Sequence, residues 1–260
     1  MIPKLNIAKR KEKKWLHRYL KNHKVDLIIS DSRFGFYHPS IKSIIISHQL
    51  QLPIPKGYNY LGKMAQKTNE RWLSAFQEIW VPDNKDHQWS GKLSEQKGLK
   101  ANFIGIQSRF SRKLLNSPLK KDYLLAILSG PEPQRSIFEK LLIGQQTENS
   151  IHLVIIGGTL KEKPETYKNI TYFSNLSRDK MQAYIQNASG IISRSGYSSI
   201  MDYARLACKK VLFVPTPAQT EQEYLAQRMK KHQIADYIMQ EDFDLQNLPF
   251  PSYEYHGFKE

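Results

Sequence analysis

The second half of this 260-residue chain alternates short, β-branched apolar runs with amphipathic helical patterns, and that alternation restricts the fold more than anything else in the sequence. Runs at Tyr123–Leu128, His152–Ile156, Ile170–Phe173, Gly190–Ser193 and Val211–Val214 are almost continuously apolar, as strands buried on both faces are. Helical spacing recurs among them near Pro133–Leu142, Ser177–Gln186, Ser198–Leu206 and Thr220–His232. Strand, helix, strand, helix in sequence predicts a parallel sheet with right-handed crossovers and helices on both faces, a Rossmann-like domain.

The first half carries the same signal more faintly. Strands are expected at Val25–Ser30, Ser43–Ser47, Glu78–Val81 and Asn102–Ile106, the third stopped by Pro82-Asp83. Ahead of them Leu5, Ala8, Trp15, Leu16, Tyr19 and Leu20 recur at helical spacing among Lys9, Arg10, Lys11, Lys13, Lys14 and Arg18, which predicts a basic amphipathic helix. From Gln107 to Lys121 the chain is basic without a clear period. The expected organisation is therefore a domain over 1–107, a linker over 108–121 and a second domain over 122–260.

Composition narrows the class. No apolar run approaches the roughly 18 residues of a membrane span. The basic N-terminus lacks the apolar stretch of a secretory signal. One cysteine, Cys208, excludes an internal disulfide framework and a cysteine-based zinc site, and suits a reducing compartment. The expectation is a soluble, cytoplasmic protein. Lys and Arg outnumber Asp and Glu by 39 to 24, a net charge of +15, so the surface should attract polyanions: nucleic acid, anionic lipid or phosphorylated small molecules. No nucleic-acid-binding motif accompanies the charge, which leaves nucleic acid a minor alternative.

Three strand-to-helix turns carry the candidate chemistry. Ser129-Gly130-Pro131 follows the first strand of the second half; it is either a place where backbone N–H groups meet a phosphate or an ordinary βα turn. Arg194-Ser195-Gly196-Tyr197-Ser198-Ser199 breaks the strand at Ile191-Ile192 and opens a helix, whose N-terminal N–H groups and hydroxyls suit a diphosphate. Asp202 lies one turn beyond Ser198 on the same face; its carboxylate suits a ribose diol, or equally offsets the helix dipole. After the next strand, Gln219, Glu221 and Gln222 suit sugar hydroxyls, while Thr220 and Glu223 read as a capping box.

These turns together resemble the C-terminal domain of glycosyltransferase family 28, whose GT-B fold sets two Rossmann-like domains face to face. The resemblance implies transfer of a hexosyl or N-acetylhexosaminyl group from a UDP-sugar, with inversion and without a further cofactor. It gives Ser195, Gly196, Ser198 and Ser199 to the diphosphate, Asp202 to the ribose, and Gln219, Glu221 and Gln222 to the sugar, with Gly130 and Arg194 as further donor-binding residues. The usual ribose acid of the family is Glu, so Asp202 is a shorter substitute. In the first half, Asp26–Gly35 and Ile44–Gln49 resemble successive strand ends of the acceptor-side domain, which makes His48 and Asp31 the candidate catalytic bases. The family opens on a strand and a G-x-G-H loop, neither of which is in this sequence, so the resemblance implies an incomplete N-terminal domain. The acceptor is left unknown, a lipid-linked one being one reading by resemblance; the basic helix either rests on the anionic inner face of the cell membrane or is a solvated helix packed against its domain. Two rivals remain: a UDP-sugar 2-epimerase-like enzyme on a similar fold, and a truncated or non-catalytic sugar-nucleotide-binding protein.

Overall fold

The apolar runs form the strands of two separate sheets, seen in a computed structural model that describes residues 2–54, 57–116, 119, 122–148, 150–158, 166–167 and 169–259. The chain divides into two units, Met1–Gln107 and Ser108–Glu260, both α/β with parallel sheets.

The first unit comprises α1 (Ile2–Leu20), β1 (Leu27–Asp31), β2 (Lys42–Ile46), α2 (Asn59–Leu73), β3 (Glu78–Val81) and β4 (Asn102–Phe103). Its four strands lie in chain order and all pair parallel. Ile45, Leu50, Leu73, Phe76, Ile79 and Val81 form its core. The basic helix forms as expected, but its apolar stripe is only partly covered: Leu16 is buried, whereas Trp15 is 51% exposed. Charge does part of the docking. The Glu12 carboxylate accepts the Gly35 N–H at 2.9 Å and Arg33 Nε–H at 3.0 Å, and Lys9 lies 4.9 Å from the Trp72 ring centre. The strand expected through Ile106 stops at Phe103, because Gly105 turns the chain with φ of +71°.

Helix α2 is absent from the sequence reading for a physical reason. Polar bonds anchor much of it: Gln66 accepts from Leu52 N–H at 2.8 Å and donates to Leu50 O at 2.9 Å. The buried face of α2 carries Gly62, Asn69, Trp72 and Leu73 while Leu61 and Met64 are exposed, so its apolar residues do not mark the side that packs inward.

The second unit comprises β5 (Tyr123–Ile127), α3 (Gln134–Gln145), β6 (His152–Ile156), β7 (Thr166–Tyr167), β8 (Ile170–Phe173), α4 (Arg178–Asn187), β9 (Gly190–Ser193), α5 (Tyr197–Arg205), β10 (Val211–Phe213), α6 (Thr220–Lys231) and β11 (Asp236–Tyr237). The sheet order is β11-β10-β9-β5-β6-β8-β7, and every pair is parallel except β7 with β8. All five residues of β5 and of β6 are buried, which explains their unbroken apolar sequence.

Part of the expected linker differs in kind. Residues 117, 118, 120 and 121 lie outside the described residues, but 108–115 run along α4 and belong to the second unit. Gln182 accepts from Ser111 N–H at 3.2 Å and donates to Lys113 O at 2.7 Å; Gln186 accepts from Leu115 N–H at 3.0 Å. Amide side chains of the helix hold this backbone, so the strap needs no apolar period of its own. One helix start also moves. Helix α5 begins at Tyr197 with Gly196 in the cap position, and α6 begins at Thr220 with Gln219 in the cap position. Thr220 is thus the first helical residue and caps nothing, so the expected capping box does not form. Strands β7 and β11, two residues each, are too short to show a period.

Candidate functional site

Sheet topology picks out one place in the second unit. From β5 the chain runs to β6 and β8 on one side, then returns to lay β9 against the other side of β5. The connections leaving β5 and β9 therefore depart in opposite directions. At such a switch point an open parallel sheet leaves a crevice beyond its strand carboxyl ends. The two turns flanking it are those that carry Gly130 and Arg194–Ser199.

Both turns are open where a ligand would approach. Gly130 has φ of +98°, a conformation L side chains rarely adopt, and a Cβ there would meet nothing within 4 Å. The same space lies before Gly196. Beyond it, the first intrahelical bond of α5 is Ile200 N–H to Gly196 O at 3.1 Å, so the N–H groups of the first turn precede the helical ladder. Ser198 is exposed and Ser199 half-buried in that turn. Aligned peptide dipoles add partial positive charge at this end.

Two residues of the turn face inward instead. Arg194 is 1% exposed and donates to four acceptors: Val214 O at 2.9 Å, Pro215 O at 3.2 Å, Gln134 O at 3.2 Å and Gln240 Oε1 at 2.6 Å. Its guanidinium also stacks 4.3 Å from the Phe138 ring centre. Burial pushes this guanidinium down to about 10, so it is a cation at neutral pH. One side chain thereby ties the turns after β5, β9 and β10 together and leaves a positive charge beneath them. Ser195, fully buried, donates to Gln222 O at 2.7 Å.

Gln222 and Gln219 organise the turn after β10. Gln222 accepts from Thr216 N–H at 2.9 Å and donates to Gln219 Oε1 at 2.6 Å. Glu221 is half-buried in the first turn of α6, where its charge favours the helix dipole.

Asp202 is engaged from an unexpected direction. Ser108 Oγ donates to its Oδ1 at 2.6 Å, and Arg109 Nε lies 3.4 Å from Oδ2. Burial raises the carboxyl above its ordinary value, against the lowering effect of Ser108 and Arg109. Ser108 and Arg109 fall in the expected linker, and no sequence signal connects Ser108 to Asp202 across 94 residues. Two further polar atoms carry no sequence signal: Thr216 Oγ1 and Gln134 Oε1 are buried without a hydrogen-bond partner among the described residues. Thr216 follows Pro215 and Gln134 opens α3, two segments that Arg194 ties.

Asp31 and His48 belong to the first unit. Asp31 ends β1, exposed, and His48 follows β2, half-buried, so both stand at the carboxyl edge of that sheet. Among the described residues, no three His, Cys, Asp or Glu side chains are grouped to hold a metal ion, and no helix is long and apolar enough to cross a membrane.

Residues 131–250 match the model of the glycosyltransferase family 28 C-terminal domain. That span holds the turn at Arg194–Ser199, Asp202 and the Gln219–Gln222 loop. No curated protein matches the chain. Among solved structures, the calicheamicin glycosyltransferase CalG4 aligns with a TM-score of 0.60 at 12% identity, over 97% of this chain and 72% of that one. The Acinetobacter baumannii protein MurG aligns with a TM-score of 0.52 at 16% identity, over 98% and 75%. Arabidopsis thaliana UGT89C1, solved with UDP-L-rhamnose, aligns with a TM-score of 0.55 at 10% identity, over 94% and 65%. The fold is that of the GT-B glycosyltransferases. Family match and fold together support a glycosyltransferase.

Proposed function

We propose that the chain transfers a hexosyl or N-acetylhexosaminyl group from a UDP-sugar held in the second unit. The observation that carries this reading is the coincidence of the family match with the switch-point crevice: the matched residues supply the open turn before α5, Asp202 and the glutamine loop. Gly196, Ser198, Ser199 and the α5 N–H groups take the diphosphate, with Gly130 admitting it from the opposite turn. Developing charge on the departing diphosphate is stabilised by that helix end and by the cation of Arg194 beneath it. Asp202 accepts the ribose hydroxyls, which compete with Ser108 for its oxygens. Gln219 and Glu221 meet the sugar, while Ser195 and Gln222 hold the loops in place.

The acceptor belongs to the first unit, where Asp31 and His48 are candidate bases for its hydroxyl. We read it as lipid-linked. Trp15 and Tyr19, stacked at 5.1 Å on the exposed side of a helix rich in Lys and Arg, suit an anionic membrane surface. Calorimetric titration with UDP tests the donor reading, beside ADP and the Asp202→Ala variant. Binding of UDP that weakens in the variant supports it. A folded protein that binds neither nucleotide contradicts it.

A further inference from the structure

The strap over 108–115 begins beside Asp202, and its second residue presents a flat cationic surface there. The backbone is pinned on both sides of that residue. Ser108 Oγ donates to Asp202 Oδ1 at 2.6 Å and accepts the Phe110 N–H at 3.1 Å. Ser111 is fixed to α4: buried Gln182 accepts its N–H at 3.2 Å and donates to its carbonyl at 2.9 Å. Between these anchors the Arg109 side chain is held at three points. Its Nε lies 3.4 Å from Asp202 Oδ2, and Nη2 lies 3.2 Å from the Met181 sulfur. Its guanidinium lies over the Phe110 ring, 4.9 Å from the ring centre, and Phe110 is buried. The Arg109 side chain is nonetheless 55% exposed. One face of the guanidinium is therefore bedded on an aromatic ring, and the other is open to solvent. Such a plane stacks on a flat aromatic ligand as it stacks on an aromatic side chain.

We infer that Arg109 is the nucleobase platform of the donor site: the base of a bound nucleoside diphosphate stacks on the open face of its guanidinium. The inference rests on the donor reading and adds to it a residue that sets how tightly the nucleotide is held. The covalent geometry of the ligand carries the placement. In a nucleoside diphosphate the phosphates leave C5′, while the base leaves C1′, across the ribose from them and next to the 2′-hydroxyl. With the diphosphate at the start of α5 and the ribose hydroxyls at Asp202, the base falls beside the groups that already touch that carboxylate. Those groups are Ser108 and Arg109, and only Arg109 offers a planar surface. The ion pair with Asp202 then has a second use, because it keeps the guanidinium turned toward the ribose. Stacking on a guanidinium face is blind to the hydrogen-bonding edge of a base. Arg109 thus strengthens nucleotide binding and leaves the choice among bases to other groups.

Calorimetric titration of the full chain tests this, with UDP and with 5,6-dihydro-UDP as ligands. The second ligand keeps the ribose, the diphosphate and the hydrogen-bonding edge of the base, but its saturated ring is neither aromatic nor flat. Stacking on Arg109 predicts that Arg109→Ala and Arg109→Lys each weaken UDP about fivefold or more, since lysine keeps the charge and loses the plane. Wild type should also prefer UDP to the dihydro ligand by about threefold or more, and this preference should disappear in both variants. Equal loss for the two ligands would leave Arg109 acting only through Asp202 and overturn the inference. So would an Arg109→Lys variant that binds UDP as wild type does. If Asp202→Ala weakens UDP while Arg109→Ala does not, the donor site stands and the platform falls. A wild type that binds no UDP defeats the donor reading and the platform with it.

Discussion

Replacing Arg194 with lysine is a severe test of how the second unit is built, although the charge is kept. The guanidinium donates to four acceptors on three loops, two of them the carbonyls of Val214 and Pro215. A lysine ammonium is a point donor on a shorter stem and reaches about two of these at once. Two acceptors are then buried without a donor, at about 1–3 kcal/mol each. The expected loss is about 2–6 kcal/mol in the second unit alone. All four tryptophans, Trp15, Trp72, Trp80 and Trp89, lie in the first unit, so tryptophan fluorescence reports that unit separately. In urea, the fluorescence midpoint should stay near wild type while amide hydrogen exchange in β9 and β10 accelerates by roughly 30- to 20,000-fold, the range corresponding to that loss. Exchange within threefold of wild type would refute the view that Arg194 ties the loops together.

Three other outcomes follow from the same geometry. Burial raises Asp202 above its ordinary 3.8, so the folded chain holds this proton to higher pH than the unfolded chain does. The group therefore costs stability as pH rises through that window, and wild type should lose ground to Asp202→Asn between the two values in pH-dependent urea unfolding. Gly158 has φ of +61° and a Cβ there would lie 2.8 Å from Leu128 O, whereas Gly130 has open space, so in urea titrations Gly158→Ala should destabilise by about 2 kcal/mol or more against about 1 for Gly130→Ala. Cys208 is buried, which pushes its thiol up to about 12, so a disulfide reagent at pH 8 should modify it only as fast as the second unit opens.

The sheet of the second unit was legible because β5 and β6 are buried on both faces and therefore apolar at every position. Gly130 and the Arg194–Ser199 turn were legible because glycine and serine at a strand end are local signals. What stayed hidden is held by polar bonds between distant residues: α2 through Gln66, the strap over 108–115 through Gln182 and Gln186, and Asp202 through Ser108. Hydrophobic periodicity carries no record of such bonds. Arg194 shows the limit from the other side. Its position in a phosphate-type turn suggests a ligand contact, and only the structure reveals that its fork is spent on carbonyls.

The central claim is that the switch point between β5 and β9 holds a nucleoside diphosphate. Backbone proton–nitrogen correlation spectra recorded during a UDP titration test it directly. The account predicts that the largest shifts fall on Gly130 and on Gly196 through Ser199, with smaller ones at Asp202 and Ser108 as the ribose engages the carboxylate. Saturable shifts confined to other loops, or none at millimolar UDP in a folded sample, would contradict it.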